Sequence, residues 1–384
     1  MNTAKDIHSV PSWIPPATRL VELHGDYGTT DFIMRRGGSL PKVVVAYESW
    51  GRLSQMHDNA VLVFTGLSPS AHACSSHEDP SPGWWEYMIG PGKPIDTDRF
   101  YVVCVNSLGS CFGTTGPSSI NSKTGKRYCV DFPDLTIEDI AKAGHHAMQE
   151  LGVDHLCAVV GASMGGMSSL AYALQYPDEV DYLVTISSAC RSLPLAVAMR
   201  SIQREIVRCD PDWKDGLYEP SEEPKNGMTL ARKIGLISYR AGEEWNQRFN
   251  RARVSPKFKG RSKFGIEFEV ESYLDYNAHK FVDAFDANSY LYLSRAMDWF
   301  DVAEHGGSVN AGLAKIHSRK TLVIGVETDI LFPVTQQEEI FNGIGKAGRN
   351  VEFIRLPSIK GHDSFLIDEE NFAPAMSKFF SEIS

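Results

Sequence analysis

The sequence predicts an α/β fold: a mostly parallel central sheet with helices on both faces and an inserted helical cap. Apolar, β-rich runs recur along the chain with helical segments between them. These runs are nearly continuous rather than alternating, as expected of strands covered on both faces. Between about residues 190 and 309 the pattern stops, and charged helical segments replace it.

Taken in order, strands are expected at 43–48, 60–65, 100–106, 156–160, 182–186, 321–326 and 351–356. A helix is expected over 137–151. Thr136 can cap it, with Asp139 placed as a weaker form of the capping-box partner. Ile137, Ile140, Ala141, Gly144, Ala147, Met148 and Leu151 give that helix one apolar face. Within the interruption, helices are expected at 198–209, 228–239, 242–250, 272–283 and 289–300, with no buried-strand signal among them. Pro and Gly clusters near 220–227 and 256–265 mark loops there. Strand–helix alternation resumes at Thr321. The chain therefore divides into a core at 1–189 and 310–384 and a cap at 190–309. Length alone would also permit a separate domain.

Composition narrows the function classes. The chain has 384 residues, 42% hydrophobic and 22% charged, the balance of a globular protein. A formal charge of −10 argues against nucleic acid as a partner. It still allows a small basic pocket for an anionic substrate. No apolar run approaches the ~20 residues that a membrane helix needs. Residues 1–16 are polar and lack the apolar core of a signal peptide. The seven cysteines are scattered, without a CxxC pair, which suggests neither a zinc ribbon nor a disulfide framework. A cytoplasmic setting is expected. His72, His77, His145 and His146 lack metal-site spacing, so no metal is expected.

The chemistry lies in three residues in chain order: Ser163, Asp329 and His362. Ser163 sits in Gly161-Ala162-Ser163-Met164-Gly165, after an apolar strand and before helically spaced Met164, Met167, Leu170, Ala171 and Leu174. That strand–turn–helix context is the nucleophile elbow, and the order nucleophile, acid, base is that of α/β-hydrolase sites. A serine needs an adjacent base, which His362 supplies from a loop after the last strand. Asp329, after the preceding strand, would orient the imidazole. The N–H groups of Met164 and Leu67 are the expected oxyanion hole. Activity is expected to fall below about pH 6.5, where histidine protonates, with Asp329 displacing that limb in a direction the sequence leaves open.

From about Thr18 onward the chain resembles the homoserine O-acetyltransferase family of α/β-hydrolase-fold acyltransferases. The resemblance rests on Asn106-Ser107-Leu108-Gly109-Ser110-Cys111-Phe112-Gly113-Thr114-Thr115-Gly116-Pro117-Ser118-Ser119, on Gly165-Gly166-Met167, on Asp329-Ile330-Leu331-Phe332-Pro333 and on Gly361-His362-Asp363. It implies ping-pong transfer of an acyl group from acyl-CoA, through Ser163, to an amino-acid hydroxyl, with no cofactor besides that co-substrate. By motif, Arg232 matches the family arginine that grips the amino acid's carboxylate, and Asp363 the aspartate that holds its ammonium. A zwitterion needs one fork-shaped cation and one carboxylate. Homodimers formed through cap helices are also implied.

Thr65-Gly66-Leu67-Ser68-Pro69-Ser70-Ala71-His72, Arg200-Ser201-Ile202-Gln203-Arg204-Glu205 and Met297-Asp298-Trp299-Phe300-Asp301 resemble the serine O-succinyltransferase subgroup. That implies succinyl-CoA and L-serine, with the Gly66, Leu67, Ser68, Pro69 loop selecting the acceptor. Homoserine succinyltransferases of this family carry an arginine two residues after the acid. Leu331 stands there, so Arg200 is the candidate cation for a succinyl carboxylate. The alternative is acetyl transfer from acetyl-CoA to L-homoserine. More distant readings are a capped serine esterase and a non-catalytic binding module; the intact triad opposes the latter. Residues 113–119, with Arg232 and Asp363, are expected to separate the acyltransferase from the esterase.

Overall fold

The computed structural model describes residues 14–26, 29, 31–255 and 263–383. Residues 1–13 and most of the loop expected at 256–265 lie outside these. An eight-stranded sheet organises the molecule: β1 (Arg19–Leu23), β2 (Val43–Trp50), β3 (Ala60–Phe64), β4 (Tyr101–Val105), β5 (Leu156–Ala162), β6 (Val180–Ile186), β7 (Lys320–Val326) and β8 (Val351–Leu356). Its spatial order is β1-β2-β4-β3-β5-β6-β7-β8. β1 and β2 pair antiparallel, as do β2 and β4, and every other pairing is parallel.

All seven expected strands are present. β1 is additional, and its burial explains why the sequence hides it. It pairs on one side only, with only Leu23 buried, and its Arg19-Leu20-Val21-Glu22 run lacks the apolar continuity of a central strand. In contrast, β3 and β5 are buried at every position. Successive side chains there feed opposite cores. Leu62, Phe64, Val159 and Val323 join the cluster that holds the first two helices. Val61, Val63, Val160 and Ile324 join one built on Trp85, Phe372 and Phe379. The period-two alternation of a strand thus fills two apolar layers at once.

The flanking helices are α1 (Ile137–Glu150), α2 (Met164–Gln175), α9 (Val334–Lys346), α10 (Ser364–Ile367) and α11 (Glu369–Glu382). α1 starts at the expected capping box. The Thr136 hydroxyl accepts from Asp139 N–H, and the Asp139 carboxylate accepts from Thr136 N–H at 2.9 Å. Between β6 and β7 run α3 (Pro194–Cys209), α4 (Lys225–Ser238), α5 (Gly242–Phe249), α6 (Glu269–Val282), α7 (Ala287–Trp299) and the short α8 (Val309–Leu313), with no strand of the main sheet. α3 packs on α4, and α4 on α6.

Gly144 shows how tightly α1 lies on the sheet. A Cβ there would come within 2.5 Å of the buried Phe64 ring. Alanine in place of a helix glycine ordinarily contributes about 0.5–1 kcal/mol. Overpacking a core costs about 1–3 kcal/mol, the larger effect. Gly144→Ala should therefore lower the urea midpoint with an unchanged denaturant slope; a raised midpoint would show that α1 can lift away at little cost.

Candidate active site

The site begins at a strained turn. Ser163, between β5 and α2, has φ +58° and ψ −124°, a conformation that costs a non-glycine residue about 1–3 kcal/mol. The residues two positions before and after it must lack side chains. A Cβ on Gly161 would lie 1.9 Å from Gly165 O, and one on Gly165 2.3 Å from Phe64 O. The turn therefore presses against the end of β3, where the sheet presents its parallel C-terminal edge. Ser163 N–H donates to Ile186 O at 2.9 Å, and the Ser188 hydroxyl donates to Ser163 O at 3.1 Å. The N-terminal end of α2, the positive end of its dipole, meets the serine.

The imidazole and the acid arrive from the ends of β8 and β7. His362 Nδ1 lies 2.7 Å from Asp329 Oδ2, and Nε2 lies 2.8 Å from Ser163 Oγ. The first contact keeps the proton on Nδ1, so Nε2 is free to accept the serine proton. Asp329 Oδ1 accepts from Leu331 N–H at 2.9 Å and from Phe332 N–H at 2.8 Å. Phe332 stacks on the imidazole at 5.1 Å. Thr328 joins the two loops: its hydroxyl donates to Ser358 O at 2.7 Å and accepts from Gly361 N–H at 3.1 Å. Burial by itself pushes the His362 pKa down. The Asp329 charge and hydrogen bond, helped by Asp363, outweigh that burial and the Arg200 charge, and leave it above its ordinary value.

Ser163 opens into a cavity of about 770 Å³, counting its mouth. Gly66, Leu67, Ser68 and Pro69 line it, as do Arg200, Leu331, His362 and Asp363. Neither Leu67 N–H nor Met164 N–H donates to a described residue, so both remain free for an oxyanion. Arg200 is buried. Its Nε donates to Asp298 Oδ1 at 2.6 Å, one terminal nitrogen donates to Ser192, and Nη1 is buried without a protein partner. Asp298 also pairs with Arg204 at 2.7 Å.

Two of the expected features lie off the cavity wall. Arg232 is not on the cavity wall. Its guanidinium lies 4.2 Å over the Phe281 ring and 5.6 Å from the Tyr239 ring, with Nε and Nη1 buried and unpartnered. Residues 113–119, expected to separate the acyltransferase from the esterase, do not line the cavity either. The Thr114 hydroxyl accepts from Ala46 N–H and the Thr115 hydroxyl from Val44 N–H, both at 2.9 Å. These threonines satisfy the stretch of β2 that lies beyond its pairing with β4. Their role is architectural.

Several wall residues escaped the sequence reading. Gln203 lies one turn from Arg200 on α3, while Tyr290, Ser294 and Met297 share a face of α7. Their helical spacing was a usable signal. Tyr239, just past α4, and Trp84 carried none. Among the described residues, no cluster of His, Cys, Asp or Glu could hold a metal ion. No helix among them is long and apolar enough to cross a membrane.

The alpha/beta hydrolase fold family matches residues 59–354. The serine O-succinyltransferase of Litchfieldella anticariensis is 53% identical over 372 residues, covering 97% of this chain and all of that protein. The L-serine/homoserine O-acetyltransferase of Streptomyces lavendulae is 49% identical over 376 residues, covering 97% and 99%. The crystal structure of esterase E22 superposes with a TM-score of 0.83 at 29% identity, covering 94% of this chain and 99% of that one. One fold thus serves both transfer and hydrolysis. The chain belongs to the alpha/beta hydrolase fold family, in the group formed by its serine O-succinyltransferase and L-serine/homoserine O-acetyltransferase relatives.

Proposed function

We propose that this protein is an acyl-CoA-dependent O-acyltransferase that succinylates the side-chain hydroxyl of L-serine through an acyl-Ser163 intermediate. The observation that carries this reading is a triad opening into a cavity whose wall holds a buried arginine with one free nitrogen. The curated relatives at about half identity support it.

In the first half-reaction, His362 Nε2 takes the Ser163 proton as Oγ attacks the thioester carbonyl. The developing oxyanion meets the N–H groups of Leu67 and Met164. The thiol leaves with the proton from His362. In the second, the amino-acid hydroxyl attacks the acyl-serine, His362 takes its proton, and that proton returns to Ser163. Asp363 receives the ammonium. The unpartnered nitrogens of Arg232 suit the carboxylate, once Tyr239 lets the substrate reach them. The free nitrogen of Arg200 suits a succinyl carboxylate, held in place by Asp298 and Ser192. Tyr239, Tyr290, Met297, Phe365 and Leu366 line the cavity and favour a hydroxyl over water as acceptor.

The Gly66–Pro69 loop forms part of the wall, so it limits the acceptor's length. One methylene is worth only about 1–3 kcal/mol of discrimination, which makes L-homoserine a slower second substrate. No cofactor beyond the acyl-CoA is invoked. We also propose a homodimer. Leu195 and Ile202 on α3, and Leu230 and Ile237 on α4, are exposed at two-turn spacing on packed neighbours, an apolar surface suited to a second copy. A reducing cytoplasm suits its seven unpaired cysteines.

A hydrolase reading rests on the likeness to esterase E22. Turnover of p-nitrophenyl acetate that ignores added serine would favour it. The direct test pairs acetyl-CoA and succinyl-CoA with serine and homoserine and follows free thiol; succinyl-CoA with serine should be fastest. Arg200→Ala should lower the succinyl-to-acetyl turnover ratio roughly ten- to a hundredfold, the loss of one charged hydrogen bond. An unchanged ratio would remove Arg200 from donor recognition. Ser163→Ala should fold normally and release no burst of CoA from acyl-CoA alone.

The pH dependence follows from His362. Its pKa is raised, so the imidazole stays protonated to higher pH and cannot accept the serine proton there. The acid limb of kcat/KM should therefore lie above about pH 6.5. Asp329→Asn should move that limb down and slow the enzyme on the order of 10⁴-fold. A limb below the ordinary histidine value would contradict the arrangement.

A further inference from the structure

The segment after α4 is bound to the loop that carries His362, and nothing in the reaction scheme accounts for it. Asp363 N–H donates to Tyr239 O at 3.1 Å. Gly361 has φ +67°, and a Cβ there would come 2.7 Å from Ala241 N and 2.8 Å from Arg240 C. Only glycine permits so close an approach of the two backbones. An ion pair adds to it: Arg240 Nε lies 3.1 Å from Asp363 Oδ2 without hydrogen-bond geometry, and Arg240 Nη1 donates to Glu244 Oε1 at 2.7 Å. The side chains of Asp363, Arg240 and Glu244 are 16%, 12% and 15% exposed, so water screens these charges little.

Asp363 lines the cavity, whereas Arg240 does not. Asp363 Oδ1 makes no hydrogen bond to a described residue. One carboxylate oxygen is thus paired with a cation that is off the cavity wall, and the other makes no hydrogen bond to a described residue.

We propose that Arg240 is a positioning residue for the acceptor: braced by Glu244, its guanidinium holds Asp363 as an oriented carboxylate with one oxygen offered to the amino group of the incoming amino acid. This rests on the acyltransferase reading and deepens it. The electrostatics agree. Burial raises the Asp363 pKa, Arg240 is the strongest influence opposing that rise, His362 and Arg232 oppose it less, and Asp329 adds to it. Without Arg240, Asp363 would protonate at higher pH and lose its attraction for an ammonium group.

The test uses the full-length enzyme and its Arg240→Ala and Arg240→Lys variants. The burst of CoA from succinyl-CoA alone reads the first half-reaction, and steady-state turnover against serine across neutral pH reads the second. Arg240→Ala should keep the burst and raise KM for serine roughly ten- to a hundredfold, the loss of one charged contact. Its kcat should change less. The acid limb of kcat/KM for serine should move to higher pH, and Arg240→Lys should recover part of both effects. An unchanged KM and pH limb would overturn the proposal. So would loss of the burst in a variant that remains folded by circular dichroism, because Arg240 would then be supporting His362. Should Arg240→Ala fail to fold, the KM and pH limb of Arg240→Lys decide in the same way. A wild-type enzyme without serine- or homoserine-dependent turnover would instead end the acyltransferase reading itself.

Discussion

The hydrogen bond between Asp329 and His362 is the constraint around which the site is arranged. It is made among buried groups, where a misdirected carboxylate or imidazole has no water to turn to. Two backbone N–H groups fix the carboxylate, and a phenylalanine ring holds the imidazole in plane. Only with both fixed does Nε2 face Ser163. The strain at the serine turn makes sense in that setting. A relaxed turn would carry Oγ away from a base that cannot follow it.

That geometry depends on the sheet. Ser163, Asp329 and His362 follow β5, β7 and β8, parallel strands whose ends lie on one edge of the sheet. Ligands bind open α/β sheets beyond these carboxyl ends because the loops converge there. The helices between β6 and β7 close the site from above. They contribute Arg200 and Gln203 from α3 and Tyr290 and Ser294 from α7. Their link to the core at Gly361 and Asp363 ties the segment after α4 to the loop that carries His362.

Charge is used sparingly on the wall of this cavity and next to it. Arg200 has two of its nitrogens engaged by Asp298 and Ser192 and keeps the third unpaired. Arg232 lies against aromatic faces, which tolerate a desolvated guanidinium better than an aliphatic wall would. A buried cation without a full set of partners is costly. Such groups make sense where a ligand with complementary charge completes them.

The sequence by itself determined the sheet's central strands, the position of the helical insertion and the three triad residues. These follow from local rules: continuous apolar runs, a capping box, and a serine with glycine two positions to either side. The edge strand β1 was not legible, because a strand paired on one side needs no apolar continuity. Tertiary structure alone decided which charges meet. Arg240 and Asp363 are far apart in the chain and become partners only when α4 ends beside the histidine loop. The threonines of residues 113–119 read as a functional signature and prove to be backbone partners of β2. Sequence motifs record which residues a fold cannot replace. Whether the reason is chemistry or support depends on contacts between distant segments, which no local pattern encodes.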